Sequence, residues 1–157
     1  MPWELGTKVA SACLFVRTSL DNPYNVGHNM VNEVLKMKRE FVMTEWFDAS
    51  WGEQNLTDED LRRLQGELLQ NPKCGDVIQG TGGFRKVRFA LLGRGKRGGL
   101  RVIYLDVHSF EVLYLVLAYP KSEKDTISPA ECAELKKIAA NIKNNLQIRS
   151  RKGKSNA

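Results

Sequence analysis

The chain has 157 residues, 42% of them hydrophobic and 27% charged, which is enough apolar material for one domain with its own core. A formal net charge of +6 and a pI near 9.3 call for an acidic partner, either nucleic acid or an acidic protein. Three scattered cysteines without a CxxC pair and two isolated histidines argue against a disulfide framework and a zinc site, and no run reaches the ~18 apolar residues of a membrane span.

Residues 1–36 show no sustained strand or helix period, and Asp21 to Gly27 (DNPYNVG) is loop-like. Val9 to Val16 imitates the core of an export signal, but the run is short and Arg17 closes it. Met37 opens a credible start, and the codons of Glu33-Val34 can spell a ribosome-binding core just upstream. Residues 1–36 are therefore expected to be an N-terminal extension, arising either from a misassigned start or as a genuine extension, with the domain over 37–148.

Phe41 to Thr44 is a short strand candidate, and Trp46 to Asn55 a turn or short helix. Thr57 is a helix N-cap, with Asp58, Glu59 and Asp60 in the first turn where the helix dipole favours anions. Leu61, Leu64, Leu68 and Leu69 share one face, and Asn71-Pro72 ends the helix. Phe84 to Leu91 alternates, with Val87, Phe89 and Leu91 facing one way and Lys86 and Arg88 the other. Leu100 to Val107 and Glu111 to Tyr119 read as strands joined by a short link, hence an antiparallel hairpin. Ser128-Pro129-Ala130-Glu131 is a capping box that opens a helix with an apolar stripe of Leu135, Ile138, Ala139, Ile142 and Leu146. Residues 149–157 read as a basic, disordered tail. The sum is a small α+β domain: an antiparallel sheet of about four strands, helices on one face, and a C-terminal helix. The other face is expected to stay wet and to carry Lys86 and Arg88.

The charge is concentrated. Gly80 to Tyr104 holds seven cations (Arg85, Lys86, Arg88, Arg94, Lys96, Arg97, Arg101) and seven glycines, with no acidic residue between Asp76 and Asp106. Crowded like charges repel, so such a patch points to a polyanion. Gly93 to Gly98 matches G-x-G-x-x-G, but a strand follows it rather than a helix, so a cationic hairpin loop is the better reading. Lys86, Arg88, Arg101 and the Tyr119-Pro120-Lys121 end of the last strand could converge on one surface. An ordinary solvated strand face, or an edge salt bridge at Arg101, are the plainer alternatives. No His or Glu pair accompanies these cations, so two-group acid–base hydrolysis is hard to build.

The motifs GTGG-x-RK-x-R (from Gly80), GRGKRGG-x-RVIY (from Gly93) and a closing Y-x-K-x-E (from Tyr119) occur in order, preceded by L-x-x-EL-x-x-NP-x-x-GD (from Leu64). Over roughly residues 41–146 the chain resembles the RelE/ParE superfamily of type II toxin–antitoxin toxins, in its HigB-like branch. The resemblance implies a cytoplasmic, ribosome-dependent endoribonuclease (mRNA interferase) acting without metal or other cofactor through 2′-hydroxyl attack. By resemblance, the catalytic residues are Lys86 for proton transfer, Arg88 for phosphate binding, Arg101 for the scissile phosphate, and Lys121. Tyr119 would stack on a base, and Arg85, Arg94, Lys96 and Arg97 would grip RNA. The implied partners are the ribosome, mRNA and a cognate antitoxin, HigA-like with a helix-turn-helix domain, through which the pair reaches operator DNA. Two departures stand out: nothing aromatic follows Tyr119, and Ser122 replaces the usual asparagine of the closing motif. A non-catalytic basic module that binds nucleic acid or antitoxin, and a ParE-like gyrase poison, are the competing readings.

Overall fold

The computed structural model describes residues 39–93, 98–123 and 126–155. The expected boundary at Met37 and the loop cations Arg94, Lys96 and Arg97 lie outside them.

Strand β1 (Glu40–Met43) runs straight into helix α1 (Glu45–Glu53) because Thr44 caps it. The Thr44 hydroxyl oxygen accepts from the Phe47 amide at 3.2 Å, and the same hydroxyl lies 3.2 Å from the Leu115 and Val116 carbonyls. One buried side chain thus starts the helix and pins it to a distant strand. Helix α2 (Asp58–Gln70) begins with a full capping box, in which Thr57 and Asp60 exchange side-chain-to-backbone bonds. It buries Leu64 and Leu68 and ends at Asn71, before Pro72. After the two-residue strand β2 (Asp76–Val77) come β3 (Arg85–Phe89), β4 (Leu100–Val107), a 3-10 turn (His108–Phe110) and β5 (Val112–Pro120). Helix α3 (Pro129–Ser155) closes the chain, with Ser128 and Glu131 forming the expected capping box at 2.7 and 3.3 Å.

The sheet order is β1-β5-β4-β3-β2. Neighbours pair antiparallel except β1, which lies parallel to β5, so the sheet is five-stranded and mixed. Helices α1 and α2 cover one face, where Phe47, Trp51, Leu64 and Leu68 meet Phe89, Val102, Tyr104, Leu113 and Leu115. Phe47 stacks on Trp51 at 5.3 Å between ring centroids. Helix α3 covers the other face, packing Leu135, Ile138, Ala139, Ile142 and Leu146 on Ile103, Leu105, Tyr114 and Val116. The α+β class and the two helices on one face match the sequence reading. The second face is not wet, as that reading had it, because the apolar stripe of α3 lies across it. That is why β4 and β5 are apolar on both sides. Helix α3 also continues to Ser155, through residues whose composition suggested a tail from 149 onward.

Candidate functional site

Strand pairing brings the expected cations into line. Arg88 on β3 stands opposite Arg101 on β4, and Arg101 stands opposite Tyr119 on β5. Lys86 lies one row inward, opposite Ile103. Side chains at paired positions point to the same side of a sheet. Ile103 and Phe84 belong to the core beneath α3, so Phe84 just before β3, Lys86 and Arg88 on β3 and Arg101 on β4 share the α3 side. Arg88 is exposed and Arg101 half-buried at the sheet end, with Lys121 exposed directly after β5.

A bulge on β5 aligns the third strand. Ile103 pairs with Leu117 but Tyr104 pairs with Leu115, leaving Val116 as an extra residue. The extra residue reverses the side-chain alternation, so Val116 and Leu117 both face α3 and Tyr119 follows on that side. Without it, Ala118 would stand beside Arg101 and Tyr119 would turn towards α1. Helix α1 holds this stretch: the Ala118 amide donates to Ser50 Oγ at 3.1 Å, two residues past the carbonyl of Val116 that Thr44 engages.

The arginine pair runs against sheet stability. Like charges directly opposite one another on neighbouring strands cost roughly 0.2–1 kcal/mol. Among the described residues, none of the ion pairs found (Arg39–Asp106, Arg63–Asp60, Lys137–Glu134) takes up Arg88, Arg101 or Lys121. With strands about 4.8 Å apart, two guanidinium groups on paired positions can hold the oxygens of one phosphate between them.

Two expected RNA contacts stand elsewhere. Arg85 points to the α1–α2 side, opposite Tyr104, where its guanidinium donates to the Gly75 carbonyl at 2.8 Å. There it braces the loop before β2. The Tyr104 hydroxyl braces the same loop, accepting from the Gly75 amide at 3.0 Å and donating to the Pro72 carbonyl at 2.8 Å. Burial pushes the Tyr104 hydroxyl pKa far above its usual value, which keeps the donating proton in place. Tyr119 is only 6% exposed and its ring sits in the α3-side core, so protein occupies the faces a base would need.

The stretch Gly80 to Gly83 forms a turn packed against α3. Gly80, Gly82 and Gly83 all have positive φ, and a Cβ on Gly82 would come within 3.1 Å of Ala139 on α3. Lys143 Nζ donates to the Gly82 carbonyl at 2.8 Å. The structure therefore adds two cations of α3, Lys136 and Lys143, beside the turn that leads into Lys86. Their sequence signal is a seven-residue spacing on the flank of the apolar stripe.

Fold and row together define a class: a small α+β protein that presents two facing arginines, outside every ion pair found among the described residues, at one end of a doubly covered sheet, suited to gripping a phosphate backbone. A family model described as "RelE toxin of RelE / RelB toxin-antitoxin system" matches residues 39–151, which span all five strands and the packed parts of all three helices. The chain belongs to the RelE toxin family. It is thus the toxin of a toxin–antitoxin system, broadly a translation-inhibiting endoribonuclease whose partner is an antitoxin. No helix among the described residues is long and apolar enough to cross a membrane.

Proposed function

We propose that this toxin belongs to the HigB-like branch and is a ribosome-dependent mRNA interferase that cleaves translated message in the cytoplasm without a metal ion. The observation that carries this reading is the cross-strand pair Arg88–Arg101, placed at the sheet end with Lys86 one row inward. In the reaction the substrate's own 2′-oxygen attacks the adjacent phosphorus, the P–O5′ bond breaks, and the products end in a 2′,3′-cyclic phosphate and a 5′-hydroxyl. Two protons move: one leaves the 2′-hydroxyl and one reaches the departing 5′-oxygen. Lys86 assists this transfer from its place one row inward of the arginine pair. Arg88 binds the phosphate, Arg101 stabilises the charge that develops on its oxygens, and Lys121 adds positive potential at the strand end. Arginine stays protonated, so it binds and stabilises but does not shuttle the proton. Orientation of an in-line attack by the ribosome and by this row supplies the rest of the rate.

The antitoxin is HigA-like, with a helix-turn-helix domain, and brings the pair to operator DNA. The test uses the purified chain and an Arg101→Ala copy with a defined message, with and without ribosomes, and maps new RNA 5′ ends. Cuts that require ribosomes and vanish in the mutant are the expected result. Intact message in every lane would sink the ribonuclease reading and move the weight to a gyrase poison or a non-catalytic binding module.

A further inference from the structure

Helix α3 is 27 residues long, about 40 Å at 1.5 Å per residue. Its last buried side chain is Leu146, and residues 147–155 are all exposed. About 13 Å of helix therefore extends past its last packed residue. This end carries Arg149, Arg151, Lys152 and Lys154, and no acidic residue follows Glu134 anywhere in the chain. Cations near a helix C-terminus gain from the dipole, but that effect fades within the last turn and does not require four of them. At about 100° per residue the four point to different quarters of the helix circumference. Such a distribution serves no seam against the domain itself.

We infer that this projecting end is a second RNA-binding element, an anchor for the phosphate backbone that is separate from the cationic row. Charge complementarity favours RNA over a protein partner. A helix that docks on protein needs apolar anchors at i, i+3, i+4 and i+7. Ile148 is the only large apolar residue on this end, and its i+3, i+4 and i+7 neighbours are Arg151, Lys152 and Ser155. Cations on all sides of a rod instead suit phosphates that flank it, as in the groove of a folded RNA. The anchor stands well away from the site. Arg149 lies close enough to Tyr114 to act on its hydroxyl electrostatically, whereas Arg101 pairs with Tyr119. Five residues of strand separate the two tyrosines, about 17 Å, so one RNA molecule must span several nucleotides to engage both. The inference rests on the ribonuclease reading only in taking RNA as the polyanion.

The test compares the full chain with a version carrying R149Q, R151Q, K152Q and K154Q, and with a chain stopped after Gln147. Glutamine keeps helix propensity. Binding to ribosomes, to a short single-stranded RNA, to an RNA hairpin and to a DNA duplex is measured over a range of salt. The expected result is at least about tenfold weaker binding to ribosomes or RNA, with the log–log salt slope reduced by about 3, as four lost phosphate contacts require. Loss on ribosomes or the hairpin alone assigns the anchor to structured RNA, and loss on the single strand assigns it to the message. Unchanged affinity and slope in both variants overturn the anchor, and a loss confined to DNA overturns RNA as its occupant. The Arg101→Ala protein separates the two claims, because it should lose cleavage while retaining the contribution of the anchor to the slope.

Discussion

At the scale of single residues, the decisive positions are those whose charge the fold does not use. Arg101→Ala should cut the rate of ribosome-dependent cleavage by about 10²–10³-fold, the usual effect of removing one donor aimed at a developing oxyanion. The melting temperature should change little, since the guanidinium makes no ion pair among those found. Arg101→Lys should recover only part of this, because an ammonium is a point charge without the planar fork. Arg85 makes the contrast: Arg85→Ala should leave cleavage nearly intact and lower stability by about 1 kcal/mol through its lost carbonyl bonds. Tyr104 supplies a pH signature. Its folded-state pKa is raised above its ordinary value of 10.0, so its contribution is whole below pH 10 and falls as pH climbs past that point and the unfolded chain ionises first. Denaturant melts at rising alkaline pH should show this decline, and Tyr104→Phe should flatten it; equal slopes in both proteins would refute the assignment. The side on which Lys86 and Arg88 stand was legible from simple alternation. The destinations of Arg85 and Tyr119 were not. Arg85 has the odd parity of Val87 and Phe89, but its charge matches that of its even-parity neighbours Lys86 and Arg88, which hides its different destination. Tyr119 depends on a bulge that no local pattern announces.

At the scale of elements, local chemistry and non-local pairing separate cleanly. The Thr57 N-cap, the Ser128 capping box, the stop at Asn71-Pro72 and the β4–β5 hairpin follow from contacts within a few residues, and the sequence displays them. The parallel pairing of β1 with β5 joins Glu40 to Val112, far apart along the chain, and nothing local encodes it. Strand β2 is two residues long and has no period to read. The bulge on β5 is the element-level device that matters for the site, and Ser50 offers a handle on it. Ser50→Ala removes the acceptor of the Ala118 amide and should cost about 1–2 kcal/mol. Because Tyr119 and Lys121 follow immediately, cleavage should fall more than stability alone explains. The check is a comparison at a temperature where both proteins are fully folded. Equal rates there would mean that the bulge holds its geometry without α1.

At the scale of the whole molecule, the question is how much chain the fold requires. Both apolar clusters among the described residues draw on positions from Phe41 to Leu146. The first described residue, Arg39, adds one long-range tie: its Nε lies 3.0 Å from Asp106 Oδ1, with side-chain exposures of 10% and 6%. This ion pair links the entry of β1 to β4, two strands away across β5. A chain begun at Met37 keeps the tie and both clusters. It should melt within a few degrees of the full chain, since a change of 1 kcal/mol shifts Tm by roughly 2–8 °C across domains of about 60–250 residues, and it should cleave message in the same ribosome-dependent way. Placing Arg39→Ala in that shortened chain strands the Asp106 carboxylate in a nearly dry site, and breaking a buried pair from one side costs about 3–5 kcal/mol. The pair of proteins therefore brackets the domain start. A stable Met37 chain that collapses on Arg39→Ala places the working boundary between the two residues. A Met37 chain that fails to fold by itself would show instead that residues 1–36 contribute to the domain, and the expected start at Met37 would be wrong.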